Sequence, residues 1–221
     1  GNGDGGDGFG GIVSLDVLLG GSITITGPLS TDPNLVDPSG TLVFNATAFA
    51  GKGANGGNGV GGTSTATIDG SVTTPNIQVT AQGFGGVGTS GTGGNGTGGT
   101  SLLEVAGTLD ADNGFMGNGG YGGNGVTAGG NGVGGSGTVD VTGAMDVATT
   151  FLMQDDATGG TATAGAAGTA DGGDALFSSH DGGSATIGAL TLTALGDPGT
   201  GKVAVDAGSG CDCGPGAIAA V

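Results

Sequence analysis

The sequence predicts an all-β chain, a repetitive β-solenoid-like stack of short strands with glycine-rich segments between them and no α-helix of note. Three observations carry this reading. Glycine supplies 60 of the 221 residues, against a usual share of about 7 %. A short figure of alternating apolar residues returns along the chain at near-regular intervals, which is the period-two mark of a half-buried strand. No amphipathic stretch with helical spacing is visible.

The figure appears as "SITITGPLS" (22–30), "TATIDGSVT" (65–73), "LLEVAGTLD" (102–110), "TVDVTGAMD" (138–146) and, more weakly, "ATIGALTLT" (185–193). Aligning Ile25, Ile68, Val105, Val141 and Ile187 gives spacings of 43, 37, 36 and 46 residues. This predicts one repeat domain of about five units, near 10–50, 51–90, 91–127, 128–175 and 176–210. A Gly/Asp-rich segment (1–9) precedes them, and a cysteine-containing apolar tail (211–221) follows. A second apolar stretch follows in each clear unit, "TLVFNATAFA" (41–50), "NIQVTAQGF" (76–84), "NGFM" (113–116) and "TTFLMQ" (149–154), so two short strands per unit are expected. Thr and Val suit a pleated, half-buried surface.

Glycine blocks come next, at 53–62, 85–99 and 117–135. Glycines recur every third residue within them, for example at 85, 88, 91 and 94. A three-residue period belongs to the polyproline-II type of backbone, and where such chains crowd together only glycine fits. The blocks are therefore expected to pack side by side as polyglycine-II helices joined by backbone hydrogen bonds. Ordinary glycine-rich loops are the alternative. Either way the units form a stacked array in which each buries its apolar stripe against its neighbours.

Charge narrows the function classes. There are 19 acidic residues against two basic ones, for a net charge of −17. With Lys52 and Lys202 as the only cations, the chain has little with which to neutralise phosphates. Nucleic acid and anionic membrane surfaces are poor partners, and no window has the roughly 18 apolar residues of a membrane helix. The first residues show neither an initiator Met nor a signal-peptide pattern, so the chain reads as processed or excised from something longer.

Blocks such as "GGNGVGGTSTATIDGSVTTPNIQVTAQGFGGVG" and "GGNGTGGTSLLEVAGTLDADNGF" resemble the Gly/Thr-rich β-strand repeats of large bacterial surface proteins, the autotransporter-passenger and haemagglutinin-like class. The resemblance covers Gly21 to about Asp206. It implies an exported solenoid outside a Gram-negative cell, serving adhesion or surface architecture. The glycine blocks are longer than the turns of a compact β-helix, and no membrane-inserting barrel is present in this sequence.

Candidate chemistry is sparse. "GNGDGGDGF" (1–9) resembles a degenerate calcium-binding nonapeptide, making Asp4 and Asp7 candidate Ca²⁺ ligands. "DGGD" adds Asp171 and Asp174; solvated acidic turns are the alternative for both places. No cofactor is otherwise required. Cys211 and Cys213 form "CDC"; a bridge across that spacing is strained, so free thiols or an intermolecular disulfide compete with it. Their use as a metal site is weaker still, since the one histidine lies far off in sequence.

His180 beside Ser178, Ser179 and Asp181 reads as a loop histidine, because sequence adjacency does not make a triad. The pairs Asp110/Asp112 and Asp155/Asp156 lack the aromatic platform a glycosidase cleft would use, with Tyr121 the single Tyr and no Trp. The chain is expected not to be an enzyme. Asn45 and Asn95 fit the glycosylation tripeptide, a pattern common by chance.

Both ends of the repeat array look uncapped. "GGIVSLDVLLGG" (10–21) alternates Val13, Leu15 and Val17, and "GAIAAV" (216–221) ends in an apolar tail containing Ile218 and Val221. Unpaired edges join other copies, and contacts that do not close generate filaments. The expected function is an extracellular structural protein, a self-assembling cell-surface filament or coat subunit whose partner is itself. An adhesin segment binding a cation, surface or glycan ligand is the alternative, and a Thr-faced ice-binding solenoid a lesser one.

Overall fold

The computed structural model describes residues 3–27, 40–180 and 182–196, and the backbone of the strands at 202–207, 211–212 and 218–220. The described secondary structure is all β, wound as a parallel solenoid. The first rung holds β1 (Gly8–Phe9), β2 (Ile12–Val17), β3 (Ser22–Thr24), β4 (Thr41–Asn45) and β5 (Ala48–Phe49). The second holds β6 (Gly59–Val60), β7 (Thr63–Ile68), β8 (Ser71–Thr80) and β9 (Gly83–Phe84). The third holds β10 (Gly96–Thr97), β11 (Thr100–Val105), β12 (Thr108–Gly117) and β13 (Gly120–Tyr121). The fourth holds β14 (Gly132–Val133), β15 (Ser136–Val141), β16 (Ala144–Gln154) and β17 (Ala157–Thr158). The fifth holds β18 (Ala170–Asp171), β19 (Asp174–Ser179) and β20 (Ser184–Thr193), and β21 (Lys202–Ala207), β22 (Cys211–Asp212) and β23 (Ile218–Ala220) add a further row.

Four sheets result. Two carry the core: a six-stranded one, β2-β7-β11-β15-β19-β21, and an eight-stranded one built on β3, β8, β12, β16, β20 and β22, with β4 beside β8 and β23 beside β20. Two sheets of two-residue strands, β1-β6-β10-β14-β18 and β5-β9-β13-β17, continue into the glycine blocks. Rungs two to four each carry four strands where two were expected: a six-residue and a longer strand meeting at a corner, with a two-residue strand on either side, and the second apolar stretch is the later part of the longer strand. "TATIDGSVT" straddles that corner, ending β7, turning at Asp69 and Gly70 and opening β8.

The register corrects the repeat alignment. Ile68, Val105 and Val141 stand in one column as aligned, but Val17 rather than Ile25 faces Ile68, and Ser179 rather than Ile187 faces Val141. Ile187 pairs with Val147 in the other large sheet. Apolar alternation occurs in both sheets, so a local figure in one is interchangeable with a figure in the other.

Between the large sheets the inward side chains form columns, such as Ala66, Leu103, Val139 and Phe177, and facing them Val72, Leu109, Met145 and Ala185. Gly114 lies next to Phe151, whose ring occupies the place of any Gly114 side chain. Among the buried polar residues, three are linked by hydrogen bonds at one corner. Ser101 Oγ donates to Asn118 Oδ1, Asn118 Nδ2 donates to Asp155 Oδ1 at 2.7 Å, and the Gly137 N–H donates to Asp155 Oδ2 at 2.9 Å.

Candidate functional site: the glycine layers and the open first rung

Beyond the two short-strand sheets, the glycine blocks pack as two layers, back to back. The first layer runs through 3–8, 53–59, 91–96, 127–132 and 165–170, the second through 49–53, 84–88, 121–125 and 158–162. Within each, every third residue lies on the outer face. In the first layer these are Asp4 and Asp7, Asn55 and Asn58, Thr92 and Asn95, and then Asn131 and Thr169. In the second they are Phe49 and Lys52, Phe84 and Val87, Tyr121 and Asn124, and Thr158 and Thr161. The intervening positions are mostly glycine, and the three-residue period is that of polyproline-II backbone.

The reason for glycine is contact, not conformation. Among the described glycines a left-handed φ occurs at Gly20, Gly40 and Gly182, none of them in these layers. A Cβ on Gly94 would overlap the Gly57 carbonyl, and one on Gly123 the Gly86 carbonyl. The contact is hydrogen-bonded throughout. Gly57 N–H donates to Gly51 O (3.0 Å), Gly86 to Gly57 (2.8 Å), Gly94 to Gly86 (2.9 Å), Gly123 to Gly94 (2.8 Å), Gly130 to Gly123 (2.9 Å), Gly160 to Gly130 (2.8 Å) and Gly168 to Gly160 (2.8 Å). This zigzag crosses from layer to layer through the stack, so the backbone itself serves as the core and its buried polar groups are paired.

A second ladder runs along the outside. Asp7 Oδ1 accepts the Asn58 N–H at 2.7 Å, Asn58 Oδ1 that of Asn95 at 2.9 Å, Asn95 Oδ1 that of Asn131 at 2.8 Å, and Asn131 Oδ1 that of Thr169 at 3.0 Å. Beside it, Asp4 Oδ1 accepts from Asn55 N at 3.2 Å and Asn55 Nδ2 at 2.9 Å. Asp4 and Asp7 are therefore the first members of Asx ladders. Asp171 and Asp174 lie on consecutive strands, β18 and β19, with exposed side chains. Among the described residues no three His, Cys, Asp or Glu side chains gather to hold a metal ion. On the other outer face Phe49, Phe84 and Tyr121 stack with ring centroids 4.8 and 4.7 Å apart. Burial, with the Asp156 and Asp155 charges behind it, pushes the Tyr121 hydroxyl above its ordinary pKa.

The first rung lies at the edge of all four sheets. Val13, Leu15 and Val17 are on edge strand β2, yet their side chains turn inward against the core. The exposed apolar residues of this rung are others: Phe9 (76 %), Ile12 (83 %), Leu18 (69 %), Leu19 (89 %) and Phe49 (72 %). Leu18 and Leu19 sit in a turn closed by the Gly21 N–H to Leu18 O, at 2.7 Å, with Gly20 left-handed. Sequence reasoning picked the edge strand and missed its outward face, although "GFGGI" and "VLLGG" carried the signal.

At the other end Ile218 is in β23, paired to β20, with no side chain described; Cys211 is in β22 on the same terms. Cys213 and Val221 lie outside the described residues. His180 Nε2 is 2.8 Å from Asp140 Oδ1, which also accepts from Ser178 Oγ at 3.3 Å, so the histidine bridges two rungs. Asp110 and Asp112 are on β12, Asp110 with an exposed and Asp112 with a half-buried side chain, whereas Asp155 is buried and Asp156 accepts from Gln154 Nε2 and the Leu195 N–H.

Compared with family models, curated proteins and solved structures, this chain matches none.

Proposed function

We propose that this chain is a non-enzymatic, extracellular structural protein, the subunit of a filament or coat that grows by stacking one rung on another. The observation that supports this most is the concentration of exposed Phe9, Ile12, Leu18, Leu19 and Phe49 on the rung at the edge of all four described sheets. An edge of parallel strands is a template for a further strand. The surface that fits it in register is another rung of the same period, which a second copy supplies. Such contacts are heterologous and do not close, so they propagate. Placement on a Gram-negative cell surface rests on the resemblance of the Gly/Thr repeats.

Electron microscopy and sedimentation of the purified chain test this, with and without calcium and with and without reductant. Filaments or concentration-dependent oligomers are expected. Loss with chelator would give Asp4 and Asp7 a metal-dependent part, and loss with reductant would give one to the cysteines. A monomer under all conditions overturns the reading and moves the adhesin to first place. The ice-binding reading has one observation behind it. Ser22, Ser71, Thr108 and Ser184, with Thr24, Thr73 and Thr186, stand in two outward columns, but Ala144, Asp110 and Asp146 interrupt them. It ranks lower for that reason.

A further inference from the structure

Five Asn-Gly steps lie in the glycine layers: Asn55-Gly56, Asn58-Gly59, Asn95-Gly96, Asn124-Gly125 and Asn131-Gly132. In a flexible chain this dipeptide is the one most prone to deamidation, because the unhindered glycine nitrogen reaches the asparagine side-chain carbonyl carbon. The fold engages both reacting groups at all five. The glycine nitrogens are donors across rungs: Gly56 to Thr92 O (2.9 Å), Gly59 to Asn95 O (2.8 Å), Gly96 to Asn131 O (2.8 Å), Gly125 to Thr161 O (2.9 Å) and Gly132 to Thr169 O (2.9 Å). The side-chain Oδ1 atoms of Asn55, Asn58, Asn95, Asn124 and Asn131 each accept the backbone N–H of the next rung, at 2.8 to 3.0 Å.

We propose that these five asparagines are modification sites gated by the stack, closed to deamidation while the next rung is in place and opened where it separates. In the reaction the glycine nitrogen bonds to Cγ, and the side-chain amide nitrogen leaves as ammonia after taking up the glycine proton. Water then opens the resulting cyclic imide at one of its two carbonyls, giving aspartate or isoaspartate, so the sum is asparagine plus water to an acid plus ammonia. The two products differ in consequence. Asp4 and Asp7 already accept the next rung's N–H in the equivalent slots, so aspartate keeps the ladder. Isoaspartate inserts a backbone carbon and puts the three-residue period out of step, which bars re-stacking of an opened rung. The gate acts within a single copy and is independent of filament formation.

The test is peptide mapping by mass spectrometry of the full chain incubated at mildly alkaline pH, folded and in urea. All five sites are expected to react at least about tenfold more slowly when folded, in proportion to the small open population. A matched variant isolates the gate. Thr169→Pro removes the N–H that holds Asn131 Oδ1 while leaving the Thr169 carbonyl, and proline fits a polyproline-II backbone; Thr169→Ala keeps the N–H. Faster reaction at Asn131 in the proline variant alone, with the other four sites unchanged, supports the proposal. Equal rates folded and unfolded in the parent chain overturn it, as does an Asn131 rate that Thr169→Pro leaves untouched in a folded protein. If Thr169→Pro does not fold, the parent comparison still decides.

Discussion

Asp155 and Asn118 meet inside the core, Asn118 Nδ2 donating to Asp155 Oδ1 at 2.7 Å in adjacent rungs, with both side chains fully buried. Gly137 makes room for the carboxylate, since a Cβ there would crowd Asp155 Oδ2, Asn118 Nδ2 and Met116 Sδ. Burial pushes the Asp155 pKa up to about 7, against hydrogen bonds from the Asn118 side chain, the Gly137 backbone and the Asn118 backbone that lower it, and the neighbouring Asp156 adds to the rise.

The pH dependence follows from that shift. Between its ordinary value of 3.8 and about 7, Asp155 holds a proton in the folded chain and not in the unfolded one. Stability from this group therefore falls as pH rises through that window and is flat above it. The full change is about 4 kcal/mol, or on the order of 10 °C in melting temperature for a chain of this size. In Asp155→Asn, whose amide can serve the same partners once Asn118 flips, the difference from the parent should be near zero at pH 4 and should favour the variant at pH 8. Melting curves that stay parallel from pH 4 to 8 would contradict the buried-acid account.

Glycine tolerance should split by threes. Gly94→Ala places a methyl against the Gly57 carbonyl, a clash with backbone that should cost about 1–3 kcal/mol. Thr161→Ala, on an outward position of the same layers, should stay within about 0.5 kcal/mol of the parent. Urea melts of the two variants compare them directly, and equal stabilities would show that the layers are not close-packed.

Gly114 and Phe151 should be energetically coupled. Phe151→Ala leaves a void expected to cost about 3–5 kcal/mol. Gly114→Leu alone drives a side chain into the Phe151 ring and destabilises as well. Together the two should recover part of the loss, giving a coupling of about 0.5–3 kcal/mol in a double-mutant cycle. Simple additivity would mean that the ring does not fill the glycine's space.

Leu18→Ser with Leu19→Ser removes exposed apolar surface from the first-rung turn without touching the core. On the proposed assembly, the monomer's melting temperature should stay unchanged while the concentration needed for assembly rises. Sedimentation across a concentration series checks this, and unchanged assembly would remove the turn from the interface.

Much of the fold was legible in the sequence. Alternation in "TSTATI" and "SLLEV" reads as strand because period two is a property of a single strand and needs no partner. The three-residue glycine spacing likewise reports local backbone form. The corner at Asp69-Gly70 and the pairing of Val17 rather than Ile25 with Ile68 were not legible, because each depends on which rung lies alongside.

The sequence by itself determined an all-β repeat, its approximate period and the small-residue packing of the glycine blocks, since composition and spacing act within one rung. Only the tertiary structure decided that Gly57, Gly86, Gly94 and Gly123 form one hydrogen-bonded line through the stack. It also decided that Asp4 and Asp7 begin Asx ladders and that Asp155 is buried against Asn118. These are contacts between residues mostly tens of positions apart, and the winding of the rungs, not local propensity, sets which of them meet.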